Sequence, residues 1–188
     1  MNVQRWMTKD TALTALLCLL AVLILRAMVP IGVDANLEMR VSQSNVPIRY
    51  LHQRRDIGMT KVVHLDKLDL ARHNRFYHSN LGDVGYGENF FADVEASFRI
   101  TEPGTYVFVV ASDDGFALRI NGREVCSFVR DRALATQRCP IRLDAGSHDF
   151  QLSYFQGGGH AGLRVQYGRA GESKLYWFGE NSPFLKLE

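Results

Sequence analysis

The sequence predicts an all-β protein, an antiparallel β-sandwich or barrel, behind one N-terminal transmembrane helix. Three observations predict it. From Phe90 onward, short alternating apolar runs follow one another at close spacing, with turn residues between them and no helical periodicity. Asn121-Gly122 sits between two such runs and fits a tight hairpin turn, whose positive backbone angles those residues tolerate. At the other end, residues 13–25 (LTALLCLLAVLIL) form one apolar run broken only by Thr14.

Extended through Arg26 to about Ile31, that run reaches the roughly 20 residues needed to cross a bilayer. Arg5 and Lys9 precede it, Trp6 suits the headgroup level, and Arg26 can snorkel from the far end. Residues 11–33 are therefore expected as a retained anchor. The rival reading is a cleaved signal peptide, with a small-residue site at Val33-Asp34-Ala35. Residues 34–61, with SQSNVP and little apolar periodicity, read as a linker or extended arm. The domain is expected over 62–188. Val62 to His78 places Leu65, Leu68 and Ala71 at helical spacing, which suits a short helix or an irregular segment. Ser79 to Asn89 is a glycine-punctuated loop.

The strands come next. ADVEASFRI puts Val94, Ala96, Phe98 and Ile100 on one face, and Pro103-Gly104 turns the chain. TYVFVVAS is almost continuously apolar, as a strand buried on both sides would be. Asp113-Asp114-Gly115 interrupts it. FALRI and REVCSF flank Asn121-Gly122. IRLDAGSHDFQLSYF is expected as a second hairpin, turning at Asp144-Ala145-Gly146. GLRVQYG and KLYWFG supply two more strands, after three successive glycines, Gly157, Gly158 and Gly159.

Composition excludes several function classes. A net charge of +2, with no basic stripe, argues against nucleic acid. Ser147-His148-Asp149 has the letters of a triad, but strand neighbours point to opposite faces. His64, Asp66, Asp69, His73 and His78 match no metal motif and read as an exposed polar face. No nucleophile elbow or phosphate loop occurs, so a non-enzymatic protein is expected. Cys126 and Cys139 stand thirteen positions apart; bridged, they would belong to an oxidising compartment, and the other reading is two free thiols. Arginines follow the span, so loop charge does not set its orientation. The bridge and the span together place residues 1–10 in the cytoplasm. The domain then lies in the periplasm or outside the cell, held by the inner membrane.

GTYVFVVASDDGFALRINGREV, followed by IRLDAGSHDFQLSYFQGGGHAGLRVQY, resembles the PA14 domain family, strongly over Asp93 to Tyr167 and more weakly from Val62. That family is a β-sandwich module of bacterial toxins, glycosidases and adhesins. In its sugar-binding members, two adjacent aspartates joined by a cis peptide hold calcium, and the ion binds glycan hydroxyls. The resemblance implies that Asp113 and Asp114 do so here. Calcium needs six to eight oxygens, so a second loop must contribute. Gln156 offers an amide oxygen, and the glycines, Gly158 among them, offer unshielded carbonyls. Phe155, His160 and Arg130 are candidate glycan contacts. The alternatives stay open: the aspartates can cap a turn and the glycines can merely allow tight packing. At the level of function, a calcium-assisted glycan binder stands beside an accessory or scaffold subunit of a membrane complex, docking on a partner protein.

Overall fold

The computed structural model describes residues 13–21 and 37–188. Residues 13–21 are helical. No helix among the described residues is long and apolar enough to cross a membrane, and most of the expected span over 11–33 lies outside them.

The compact unit from Asp34 to Glu188 contains thirteen strands among its described residues. They are β1 (Leu37–Ser44), β2 (Ile57–Leu65), β3 (Tyr77–His78), β4 (Gly82–Asp83), β5 (Phe90–Ile100), β6 (Gly104–Asp113), β7 (Phe116–Ile120), β8 (Arg123–Phe128), β9 (Ala135–Leu143), β10 (Gly146–Gln156), β11 (Gly162–Arg169), β12 (Tyr176–Trp177) and β13 (Leu185–Leu187). The large sheet runs β2-β1-β5-β10-β7-β8, with β13 also paired to β5. The small sheet runs β12-β11-β6-β9, and every pairing is antiparallel.

The two inner faces meet over an aromatic core. Val94, Phe98 and Ile100 from β5 and Phe150, Leu152 and Tyr154 from β10 are all buried, as their alternation predicts. Phe150 and Phe178 stack with centroids 3.8 Å apart. The Asn121-Gly122 turn has the expected positive φ values of 52° and 74°. Cys126 and Cys139 are bonded, and the bond ties β8 at the edge of the large sheet to β9 at the edge of the small one.

Three expectations change. Residues 34–61 are not a bare linker or arm: they carry β1 and part of β2, and β1 lies inside the large sheet between β2 and β5. Leu37, Met39 and Val41 point into the core, while Glu38 and Arg40 point out. Residues between β1 and β2 fold over the outer face of the same sheet. There Ile48 and Leu51 pack on Phe91, Ala117 and Phe155 as a second small core. Of the two readings of Val62 to His78 the short helix fails: β2 runs to Leu65, and Leu68, Leu70, Ala71 and Phe76 then bury themselves from irregular chain.

The third change concerns IRLDAGSHDFQLSYF. β9 pairs with β6 in the small sheet and β10 with β5 and β7 in the large one. The turn at Asp144–Gly146 therefore crosses between sheets instead of closing a hairpin. Alternation is identical for strands that pair and strands that face each other across a core, so the pattern does not separate the two cases.

Candidate functional site

β6 ends at Asp113 and β10 ends at Gln156, at the same end of the sandwich. The Asp113–Asp114 peptide is cis. Both side chains are nearly buried, 7% and 5% exposed. They line an open depression of about 310 Å³ together with Asp131, Arg132, Gly158 and His160.

Backbone amides hold the second carboxylate. Asp114 Oδ2 accepts from Gly157 N at 2.7 Å, and Oδ1 accepts from Arg132 N at 3.2 Å. Ser112 Oγ donates to the Asp114 carbonyl at 2.7 Å. Burial raises both carboxyls above the usual range. For Asp113, the Leu134 amide, His160 and Arg132 oppose the rise; for Asp114, the Gly157 and Arg132 amides oppose it while Asp113 and Asp131 add to it. Arg132 supplies part of the counter-charge. Its guanidinium lies over Phe128 at 4.3 Å and donates to Ser112 Oγ at 2.8 Å, and Nε has no hydrogen-bond partner among the described residues.

The glycine loop is built inward. Gln156 is fully buried. Its amide nitrogen donates to the carbonyls of Gly158 (2.9 Å) and His160 (2.8 Å). The Tyr154 hydroxyl lies between the Gln156 amide oxygen (2.7 Å) and the Asp113 carbonyl. Gln156 is thus a strut for the loop more than a free oxygen donor. A Cβ on Gly157 would stand 2.6 Å from the Ile48 carbonyl oxygen, so bare backbone there faces the segment between β1 and β2. Asn89, at φ 50°, locks the two together: its amide donates to the Gly157 carbonyl at 3.0 Å, and its Oδ1 accepts from Ile48 N at 3.0 Å.

Of the residues singled out in the sequence, Asp113, Asp114, Gly158 and His160 come together around one depression. Two others lie elsewhere. Phe155 is fully buried on the outer face of the large sheet, beneath the Ile48–Leu51 cover, and cannot touch a glycan. Arg130 does not line the depression; its carbonyl packs over Gly115, where a Cβ would sit 2.9 Å away, and it bridges to Tyr50. The expected polar face at His64 to His78 is also dispersed. His78 is buried, with Nε2 2.7 Å from Asp66 Oδ1, and Asp69 pairs with Arg164. Tyr154, Asn89 and Ile48 were missed. Tyr154 reads as an ordinary core position, and only three-dimensional contact reveals the other two.

Calcium can be weighed against these donors. Asp113, Asp114, Asp131 and Gly158 line the same depression, the Gly158 carbonyl accepts from Gln156, and among the described residues no three His, Cys, Asp or Glu side chains are gathered as a metal-holding group. The adjacent carboxylates of Asp113 and Asp114 are hard oxygen donors of the kind calcium takes, and the rest of its six to eight ligands would have to come from backbone, water or ligand hydroxyls.

Two antiparallel sheets packed face to face, with a cis-linked acid pair opening at one end, define a sandwich module with a loop-built end site. The chain belongs to the PA14 domain family, which it matches over residues 61–178. Among solved structures it is similar to the PA14 domain of the MpAFP antifreeze protein, with TM-score 0.59 and 16% identity, covering 79% of this chain and 89% of that one. The PA14 sugar-binding domain from an RTX adhesin gives TM-score 0.59 and 15% identity, over 75% and 94% of the two chains. The epithelial adhesin 9 A domain from Candida glabrata, solved with Galβ1-3GlcNAc, gives TM-score 0.56 and 14% identity over 81% and 89%. No curated protein matches the chain.

Proposed function

We propose that this chain is a non-enzymatic, single-pass membrane protein whose PA14 sandwich binds a glycan through calcium at Asp113 and Asp114. Residues 11–33 anchor it in the inner membrane, with the sandwich in the periplasm or outside the cell. One observation carries the binding reading. Two adjacent carboxylates, almost removed from water, line an open depression and are raised by burial, so a cation bound there stabilises charges that the fold leaves only partly matched. Sugar-binding relatives of the same fold support it. The disulfide supports an oxidising compartment.

Calorimetric titration of the purified full chain with calcium is the test. Saturable binding is expected below millimolar calcium, and it should disappear in Asp113→Asn. Binding that survives this substitution, or no heat at millimolar calcium, overturns the reading.

A different observation favours partner docking. β2 is an edge strand, and its Ile57, Met59 and Val62 are exposed, with Met59 and Val62 on opposite faces of an edge that carries apolar side chains to solvent. In this reading the sandwich is an accessory subunit. A stoichiometric companion should then copurify in mild detergent and be lost in Met59→Lys.

A further inference from the structure

The outer face of the large sheet carries a groove that lies apart from the Asp113 end. The segment between β1 and β2 covers only part of this face, with Ile48 and Leu51 on Phe91 and Phe155. Beyond Leu51, His52 and Gln53 the face opens into a polar groove of about 510 Å³, within the roughly 300–1,000 Å³ of ordinary ligand sites. A second depression of about 260 Å³, lined by Glu38, Arg40, Asp93 and Glu95, continues it.

Strand register arranges the floor in two rows. One runs Arg40, Asp93, Ser153, Ala117 across β1, β5, β10 and β7. The next runs Glu38, Glu95, Gln151, Arg119. Asp93 is already fixed: Arg55 donates to both its oxygens at 2.5 and 2.9 Å, and Ser153 Oγ donates at 2.7 Å. In the second row Arg119 lies 3.9 Å from Glu124, but the two glutamates are not settled internally. Glu38 stands directly opposite Glu95, an arrangement that destabilises a sheet. Among the described residues neither has an ion pair, and nor does Arg40.

The charges decide the ligand class. Arg40, Arg55 and Arg119 balance Glu38, Asp93 and Glu95, so the groove is neutral overall but dense in donors and acceptors. A polyanion would meet three carboxylates and no net positive field. Leu51, Val94, Ala117 and Leu152 also line the groove but are buried, so an apolar ligand would meet a mainly polar wall. A neutral chain of hydroxyls satisfies both kinds of group, because each hydroxyl donates to a carboxylate and accepts from a guanidinium. We propose that this groove binds a neutral glycan chain, without calcium and independently of the Asp113 site.

The test uses the full chain in a detergent without a sugar headgroup, in excess EDTA. The probes are hexasaccharides of β-1,4-glucose, α-1,4-glucose, β-1,4-N-acetylglucosamine and mannose, with a hexauronate as the charged control. At least one neutral hexasaccharide should bind and the hexauronate should not. Gln151→Ala and Glu95→Gln, both exposed and outside the core, should each weaken binding about tenfold, the loss of a hydrogen bond to a buried ligand. Arg119→Ala should do the same, and Asp113→Asn should change nothing. The proposal fails if no neutral probe binds, or if the hexauronate binds more tightly. It also fails if binding survives all three groove substitutions, or if binding is lost with EDTA or in Asp113→Asn.

Discussion

The three consecutive glycines are not equivalent. Gly157 needs space: a Cβ would stand 2.6 Å from the Ile48 carbonyl oxygen and 3.4 Å from Asp114 Oδ2. Gly159 needs backbone freedom: its φ is +78°, and nothing lies within 4 Å of a would-be Cβ. Gly158 needs neither, because its would-be Cβ meets only the Glu88 carboxylate at ordinary contact distance. Alanine substitutions should therefore separate. Gly157→Ala should cost about 1–3 kcal/mol, since backbone rather than a flexible side chain must give way. Gly159→Ala should cost roughly 1–2 kcal/mol for a left-handed L-residue. Gly158→Ala should stay within about 0.5 kcal/mol. Thermal denaturation of the three variants reads the order directly, and a Gly158 effect as large as that of Gly157 would refute this account of the loop.

At the scale of elements, what the sequence made legible depends on where each pattern's meaning lies. The Asn121-Gly122 turn and the alternation of β5 and β10 are local, and they were read correctly. LEMRV in β1 alternates just as clearly, with Leu37, Met39 and Val41 inward, but it is short and runs into the polar SQSNVP. β1 also lies outside the segment matched to the family. The acid pair and the glycine loop were joined as a candidate site only by the resemblance to the family, since neither run means much alone; the structure sets them side by side. The cover formed by Ile48 and Leu51 was not legible, since two apolar residues in a polar stretch carry no periodicity. The Cys126–Cys139 bond has an element-level consequence. β8 and β9 are edge strands of different sheets, so the bond clips one open side of the sandwich. Closing a loop of this length is worth about 3 kcal/mol in the chain-entropy model. The Cys126→Ser, Cys139→Ser double variant should lose close to that in denaturant unfolding. The wild-type chain under reducing conditions should match it; an unchanged midpoint in both would show that the bond adds no stability.

For the whole molecule, β1 determines where the folding unit begins, and so how any anchor relates to it. β1 supplies Leu37, Met39 and Val41 to the core and pairs with β5 along six residues. A chain starting at residue 34 keeps these contacts. A chain starting at residue 62 loses β1, most of β2 and the cover over Phe91 and Phe155. Deleting residues 1–33 should therefore leave a cooperatively unfolding domain, whereas deleting residues 1–61 should leave an aggregating one. The same pair of deletions tests the membrane reading. If residues 11–33 are the anchor, the full chain should stay with the membrane pellet through alkaline carbonate washing, and the 34–188 chain should be released to the soluble fraction while keeping its melting transition. A 34–188 chain that remains in the pellet and still unfolds cooperatively would place membrane attachment on the sandwich itself. Its edge along β2, where Met59 and Val62 are exposed, would then be the first surface to substitute.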